Sequence, residues 1–415
     1  MLSLAQITAI IAFSSAVIAA PVAEHTTFSM EQLPRSKHIK NGPQQMIQYM
    51  RTYGLDVSPE LSAAAEKQAS KAAPLTARGI KGSVRTFAVD EYTSEYVSPL
   101  VIGGKTIHVS LGTAASDVWV FSSLQSKAQR KGHDYYEVNP ANIKKGYSFN
   151  IGYSGNLTTA KGKVYTEKIK LGSITTTQVI GAAETVNDQM LDDQDSDGMF
   201  GLGFSYTNGI TPKPQLSFFD TIKPQLEKPL FSVALKHNTT GSFDFGFIDG
   251  KKMNGPITYA DVVDDGWGAW SIIGEGFSVG SNPKITARKM KIHFDAATSI
   301  SYTDPDIVSA AYSKIPGAKF DKEQQAYTLP CNAKSVPDIT FSIRGSRQVI
   351  SGERLKYAPI DDDGRVCYGA LQNIGGGVDF SLLGINFFVN KYLVHDTNNG
   401  KPRLGFARQS GEDCK

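Results

Sequence analysis

The sequence of 415 residues predicts an all-β body of two similar lobes, preceded by a helical segment. Three observations support this fold class. Short runs of alternating apolar and polar residues succeed one another after residue 92, separated by turn signals about every ten residues. Helical periodicity is concentrated before residue 90. Two six-residue motifs in the body resemble each other, which indicates an internal repeat.

The first twenty residues predict a signal peptide. An apolar run covers 7–13 and 16–19, and small residues precede Pro21. The run is too short for a membrane anchor, and Ser14 and Ser15 interrupt it. No later stretch of the sequence has 18 consecutive apolar residues. We therefore expect a secreted protein without a membrane partner.

Residues 21–90 differ in texture from the rest of the chain and predict a prosegment with helices around 43–53 and 59–71. This segment holds nine Lys and Arg against six Asp and Glu, whereas residues 91–415 hold 34 of each. Neither part forms the basic stripe that nucleic-acid binding needs, so no nucleic-acid partner is expected.

The body predicts strands at 96–102, 106–111, 118–122, 162–171 and 176–180. Its repeat relates residues 111–116 to residues 294–299. Gly201 follows Gly112 by 89 residues, and Gly384 follows Asp295 by the same number. The shared spacing predicts two homologous lobes, residues 91–255 and 256–415, with the boundary near 254–261.

Export would place the cysteines in an oxidising compartment, where disulfides form. Cys331 and Cys367 lie 36 residues apart, and we predict that they form a disulfide, with Cys414 left over. Three free thiols are the alternative, which an oxidising compartment disfavours. Asn156 and Asn238 each begin an Asn-x-Thr triplet and are candidate glycosylation sites.

The body resembles the pepsin family of aspartic proteases, in particular its secreted fungal branch of aspergillopepsin and penicillopepsin type. The resemblance runs from about residue 92 to residue 408 and is carried by ordered matches at 95–99, 102–104, 117–122, 132–134, 197–202, 218–221, 229–237 and 243–249. It implies a bilobal fold with a peptide-binding cleft between the lobes. In that family each lobe presents an Asp-Thr-Gly loop, and the two aspartates share a proton over one water because close like charges cannot both ionise.

Carried over by position, the resemblance implies a degenerate site. Asp295 matches the aspartate of the second lobe, whereas Gly112 stands where the first lobe has its aspartate. Asp117, five residues later, matches a non-catalytic acidic position. Thr113 is retained, and the other changes around the centre are Ala114, Ala115, Ala296, Ala297 and Ile385. We expect methyl groups at 114 and 297 to crowd the loop amides, and Ala296 to remove half of a reciprocal hydrogen-bonded brace.

Other cleft residues are retained. Tyr153 matches the tyrosine of the flap hairpin, Trp119 matches its hydrogen-bonding partner, and Thr298 closes the second loop. Simple packing of the aromatic rings is the alternative for Tyr153 and Trp119. A glycan on Asn156 would lie over the cleft entrance.

Asp295 has two interpretations, a catalytic role and the capping of a turn through backbone N–H groups. His293 lies two residues earlier and on the same strand face, so the two side chains form a candidate proton-transfer pair. A structural role is the alternative for this histidine. No residue cluster has metal-ligand spacing, and no cofactor is expected.

Three functions are compatible with this pattern: a proteolytically impaired protease homologue, an enzyme of fungal secondary metabolism that acts on a small molecule through Asp295, and a weak aspartic-type endopeptidase. In each case the expected ligand is a peptide or small molecule in the interlobe cleft of a monomer.

In relatives the prosegment covers the cleft and is removed by self-cleavage. Here we expect another protease to cut between residues 76 and 92, or the segment to remain.

Overall fold

A computed structural model describes residues 27–34, 41–70, 95–152, 159–193, 195–237, 240–281, 284–398 and 400–411. The predicted signal peptide, the predicted cleavage region, Tyr153, Asn156, Asn238 and Cys414 lie outside the described residues.

The described chain is predominantly β. The strands are β1 Phe28–Pro34, β2 Tyr96–Ile102, β3 Lys105–Gly112, β4 Val118–Val120, β5 Ile143–Ile151, β6 Ala160–Leu171, β7 Ile174–Val186, β8 Gly198–Gly201, β9 Ile210–Thr211, β10 Leu230–Ala234, β11 Gly241–Phe245, β12 Met253–Asp261, β13 Ser271–Val279, β14 Thr286–Phe294, β15 Ser301–Thr303, β16 Lys319–Asp321, β17 Ala326–Pro330, β18 Ile339–Ile343, β19 Ser346–Ile350, β20 Lys356–Pro359, β21 Val366–Gly369, β22 Leu371–Asn373, β23 Phe380–Leu383, β24 Lys391–Asp396 and β25 Arg403–Gln409. The helices are α1 Gly42–Thr52, α2 Pro59–Ser70, α3 Asp188–Asp192, α4 Phe218–Ile222, α5 Pro305–Tyr312 and α6 Ile385–Phe388. Short 3₁₀ turns occur at Pro140–Asn142, Ser205–Thr207, Lys223–Gln225 and Gly352–Leu355.

The strands form three sheets. The largest has 14 strands in the order β12-β25-β24-β10-β11-β1-β2-β3-β8-β4-β7-β6-β5-β9, so it joins strands from both halves of the chain. The second half adds a seven-stranded sheet, β19-β18-β13-β14-β23-β15-β22, and a four-stranded sheet, β16-β17-β21-β20. Residues of the predicted lobe boundary form β12, which pairs with β25. The predicted boundary residues therefore belong to a paired strand of the largest sheet.

The internal repeat appears in the sheet register. Strand β3 pairs in parallel with β8, with Leu111 opposite Phe200. Strand β14 pairs in parallel with β23, with Phe294 opposite Leu383. The sequence offset is 89 residues in both cases, so Gly112 and Asp295 occupy equivalent strand ends.

The prosegment forms the two predicted helices. Asn41 caps α1, since its side chain accepts a hydrogen bond from the Gln44 amide at 3.0 Å. Gly42 packs directly on a tyrosine ring, and a Cβ there would lie 2.2 Å from Tyr368. Strand β1 was not predicted. It inserts between β11 and β2, so this segment is part of the largest sheet as well as of the helical pair.

The helices share a core with the second half of the chain. The buried residues of this cluster are Met46, Ile47, Tyr49, Leu61, Ala65, Ile300, Tyr302, Ala326, Tyr357, Ala358, Tyr368, Ala370, Ile374, Phe380 and Leu382. Burial of this apolar surface is the main force that holds α1 and α2 against the body.

The predicted disulfide between Cys331 and Cys367 is confirmed, with the two Cα atoms 4.9 Å apart. No helix among the described residues is long and apolar enough to cross a membrane.

Candidate functional site

The two loops of the internal repeat meet at the centre of the molecule, and Thr113 joins them. Its hydroxyl donates to the Phe294 carbonyl at 2.8 Å and accepts from the Ala296 amide at 3.1 Å. Ala296 has no hydroxyl with which to return this contact. The Thr113 hydroxyl therefore makes both of its hydrogen bonds to the second loop, whereas the expected return contact from residue 296 to the first loop cannot form.

Asp295 lies between the two loops and accepts hydrogen bonds from both. Its Oδ1 accepts from the amides of Thr113 at 3.0 Å, Ala114 at 3.3 Å and Ala297 at 3.2 Å. Its Oδ2 accepts from the Thr298 hydroxyl at 2.7 Å. Despite the methyl groups of Ala114 and Ala297, the amides of both residues still donate to the carboxylate. Both Asp295 oxygens are engaged, and none of these partners is a carboxyl group.

Gly112 faces a small apolar space. A Cβ at this position would lie 2.9 Å from Met199 Sδ, 3.6 Å from Ala115 Cβ and 3.7 Å from Ala297 Cβ. A thioether and two methyl groups therefore surround the position that corresponds to the first-lobe aspartate. Sequence reasoning missed Met199 in this role, because its place in the repeat indicated only an apolar strand residue.

His293 does not form the predicted pair with Asp295. Its Nε2 lies 2.6 Å from Asp265 Oδ2 and donates to it, and both side chains are almost fully buried. The imidazole also stacks on Phe380 with ring centroids 3.8 Å apart. Burial acts to raise the pKa of Asp265, but the hydrogen bond and charge of His293 outweigh it and the pKa is lowered. His293 also lines a second cavity. Its contacts with Asp265 and Phe380 favour a structural role over proton transfer with Asp295.

Asp117 supports the chain nearby. It is 6% exposed and accepts a hydrogen bond from the Gly209 amide at 2.7 Å. Burial raises its pKa to about 6, although the amide hydrogen bond opposes the shift. This contact fits the non-catalytic position that the sequence comparison assigned to it.

Trp119 is 1% exposed and lines the space beside Gly112 and Asp295. Its indole Nε1 has no hydrogen-bond partner in the described part of the chain. The predicted partner, Tyr153, lies outside the described residues. The predicted hydrogen bond between Trp119 and Tyr153 therefore stays a prediction.

The prosegment covers this centre with two tyrosines that sequence reasoning did not single out. The Tyr49 ring stacks on Tyr302 with centroids 3.7 Å apart, and its hydroxyl donates to the Ile374 carbonyl at 2.5 Å. Tyr53 packs edge-on against Trp267 and Phe380. Burial raises the pKa of Tyr53 far above its ordinary value, with added contributions from the negative charges of Asp295 and Asp265, so this phenol stays neutral.

Between α1 and the two loops remains a cavity of about 110 Å³. Its lining residues come from the prosegment and from both lobes: Gln45, Gln48, Tyr49, Arg51, Tyr53, Gly112, Ala114, Ala115, Trp119, Thr159, Asn187, Met190, Met199, Asp295, Ala297, Thr298, Tyr302 and Leu382. The predicted cleft residues Trp119, Thr298, Gly112 and Asp295 are thus brought together.

Elsewhere, the ligand atoms of His108, Asp134 and Asp197 lie within 4.8 Å of one another. Their sequence separations gave no metal-ligand signal. Asp197 already accepts hydrogen bonds from the amides of His108 at 2.8 Å and Asp134 at 3.0 Å, which explains why the group is clustered. We assign no metal to it.

Comparison with known proteins agrees with this architecture. The family model for eukaryotic aspartyl proteases matches residues 95–409. The chain is similar to the aspartic protease pepA of Leptosphaeria maculans, with 40% identity over 99% of this chain and all of that protein. It is also similar to aspergillopepsin-1 of Aspergillus fumigatus (34% identity) and penicillopepsin-1 of Penicillium rubens (35%), in each case over 99% of this chain and the full length of the relative. The chain therefore belongs to the eukaryotic aspartyl protease family.

Proposed function

We propose that this chain is a secreted member of the family whose peptide-cleaving activity is severely impaired. The observation that carries the proposal is the environment of Gly112. A protease of this family needs a second carboxyl group opposite Asp295, and the space there is lined by Met199, Ala115 and Ala297. Water bound beside Asp295 would lack a paired base and acid.

The expected loss is large. A positioned acid or base contributes roughly 10²–10⁴ in rate, which is about 3–5 kcal/mol of barrier lowering. The described hydrogen-bond partners of Asp295 include no acid or base that could replace the missing carboxyl group, since they are three amides and the Thr298 hydroxyl. His293, the other candidate for proton transfer, is held by Asp265.

Secretion is supported by the signal-like residues 1–20 and by the disulfide, which is typical of oxidising compartments. Impaired self-cleavage implies that another protease cuts between residues 76 and 92, or that the prosegment remains attached. N-terminal sequencing of material secreted by a fungal host distinguishes these outcomes. Mass spectrometry of the same material tests glycosylation at Asn156 and Asn238.

The test of impairment is digestion of casein or haemoglobin at acidic pH, with and without pepstatin. We expect wild-type cleavage at least about 10²-fold slower than that of an active fungal relative. Asp295→Asn identifies any residual activity that depends on this carboxylate. Gly112→Asp is the attempted rescue, and Gly112→Asn is its uncharged control of equal size. Pepstatin-sensitive cleavage by the wild type at the relatives' rate would refute the proposal.

A second candidate function is an enzyme that acts on a small molecule, as in fungal secondary metabolism. The cavity favours it, because Asp295 and Thr298 line the same space as apolar residues such as Met199 and Leu382. A gene position beside polyketide or peptide synthetase genes would support this function. Asp295→Asn should then abolish product formation, and an unaffected variant would count against it.

A further inference from the structure

Strand β1 of the prosegment joins two parts of the largest sheet. Residues 28–32 pair with β11, and Leu33 and Pro34 pair with β2. The strands β12, β25, β24, β10 and β11 lie on one side of β1, and the strands from β2 to β9 in the sheet order lie on the other. Among the described residues, no other strand pairs across this junction. Departure of β1 would therefore leave the facing edges of β2 and β11 without hydrogen-bond partners.

The side chains of β1 also enter the interior of the body. Met30 is 2% exposed and belongs to the largest core cluster. The Ser29 hydroxyl donates to the carboxylate of Asp244, which is fully buried and also accepts from Lys252 Nζ at 2.7 Å. Strand β1 thus makes apolar, polar and backbone contacts with the body at once.

The two helices form a second, separate area of contact. Met46, Ile47, Tyr49, Leu61 and Ala65 are each at most 5% exposed, and they pack in one cluster with residues of the second lobe. Hydrogen bonds run in both directions across this contact, from the Tyr49 hydroxyl to the Ile374 carbonyl and from the Tyr302 hydroxyl to the Gln45 carbonyl. Strand addition and buried aromatic anchors are both recurring means by which separate chains bind one another.

The expected cleavage range lies between these contacts and the body. The described prosegment ends at Ser70, and the body resumes at Glu95. A cut between residues 76 and 92 breaks the connection between them but leaves every described contact of β1, α1 and α2 in place. Cleavage and release of the prosegment are therefore separate events in this protein.

We propose that the prosegment stays bound to the body as a non-covalent subunit after this connection has been cut, so that α1 continues to cover the cleft. The binding partner of the body is a segment of its own chain, held by β1 in the largest sheet and by Tyr49 in the second lobe. The inference rests on the proposed function only in that another protease makes the cut. Access to the cleft then requires displacement of the prosegment in addition to its cleavage.

The test uses the full-length secreted protein with a recognition sequence for a site-specific protease inserted between Gly82 and Ser83, inside the expected cleavage range. After complete cutting, the sample passes through size-exclusion chromatography at neutral pH and micromolar concentration, and mass spectrometry identifies the fragments in each fraction. We expect the prosegment and the body to elute together and to separate only in denaturant. A prosegment fragment that elutes apart from the body in the absence of denaturant would overturn the proposal.

Variants locate the contact. Met30→Ala combined with Tyr49→Ala removes one buried side chain from each area of contact and should raise the dissociation constant of the cut fragments at least about a thousandfold. The dissociation constant is measured by dilution of protein that carries a fluorescent label on the prosegment. Lys67→Gln is the control, because its ion pair with Glu323 at 3.5 Å is exposed, and it should change the constant less than about fivefold.

Circular dichroism of the uncut variants establishes that they are folded. An unchanged dissociation constant in the folded double variant would contradict the described contact, and elution of the cut wild type remains decisive if the double variant does not fold. Casein digestion by the same cut wild-type sample reads out the proteolytic proposal separately. Release of the prosegment without casein cleavage refutes only the retention of the prosegment, whereas casein cleavage at the relatives' rate with the prosegment bound refutes only the loss of proteolysis.

Discussion

Tyr49 docks the prosegment helix α1 on the body, and its replacement by alanine tests that docking. The ring is 3% exposed, stacks on the fully buried Tyr302, and donates to the Ile374 carbonyl. Tyr302 in turn donates to the Gln45 carbonyl on α1 at 2.9 Å. One helix turn therefore makes both an aromatic and a polar contact with the body.

The magnitude is set by these contacts. Truncation of a buried aromatic side chain to alanine costs about 3–5 kcal/mol, because the ring's burial is lost and a cavity remains. Loss of the hydroxyl alone costs about 1 kcal/mol. We therefore expect Tyr49→Ala to weaken the docking of α1 by about 4 kcal/mol, and Tyr49→Phe by about a quarter of that.

Hydrogen exchange followed by mass spectrometry measures this docking, since amides of α1 exchange when the helix opens locally. A cost of about 4 kcal/mol corresponds to roughly thousandfold faster exchange in α1, and about 1 kcal/mol to roughly fivefold. Amides of β18 serve as the internal control and should not change, because Ile339, Phe341 and Ile343 of this strand pack in a different core cluster from α1. If Tyr49→Ala accelerates exchange in α1 by less than tenfold, the helix is not held in the cleft as described.

Three further predictions concern stability. Burial raises the pKa of Asp117 to about 6, above its unfolded value, so its stabilising contribution is full only below about pH 4 and is lost as the pH rises through 6. Asp117→Asn should therefore raise the free energy of unfolding at pH 7 by about 3 kcal/mol, seen as a higher melting temperature, but should not raise it at pH 4. Thr113→Val removes both hydrogen bonds between the loops and should cost about 2–4 kcal/mol in urea unfolding, whereas Thr113→Ser should cost far less. Burial lowers the pKa of His395 well below its ordinary value, so below pH 6.5 the unfolded chain takes up a proton that the native chain does not. The free energy of unfolding should therefore fall by up to about 1.4 kcal/mol for each pH unit below 6.5. His395→Phe should flatten the plot of unfolding free energy against pH, and an unchanged slope of that plot would contradict the prediction.

Features that depend on local sequence were predictable. The helices α1 and α2 lie within a residue or two of their predicted ranges, since periodicity and the Asn41 cap are both local signals. The 89-residue repeat reproduces the register of two parallel strand pairs, because homologous lobes preserve the distance along the chain. The disulfide was inferred from export and spacing.

Features that depend on tertiary partners were not predictable. Strand β1 alternates apolar and polar residues only over 28–31, and its extended form depends on pairing with β2 and β11 on either side. Strand alternation predicted that His293 shares a strand face with Asp295, but it could not reveal that the imidazole would pair with Asp265, 28 residues earlier. The stacking of Tyr49 on Tyr302 joins residues that are far apart in the sequence, so no local sequence pattern could predict it.

The retained Asp295 is explained without catalysis. It accepts two amides from the first loop, and an amide and a hydroxyl from its own loop. Replacing it with an apolar residue would leave these donors buried without an acceptor, at about 1–3 kcal/mol each. Gly112 has no side chain that could accept such hydrogen bonds, and methyl and thioether groups line the space that a side chain there would enter. The two positions are equivalent in the fold, yet only Asp295 ties the lobes together. Selection for the interlobe contact alone would therefore be sufficient to retain Asp295.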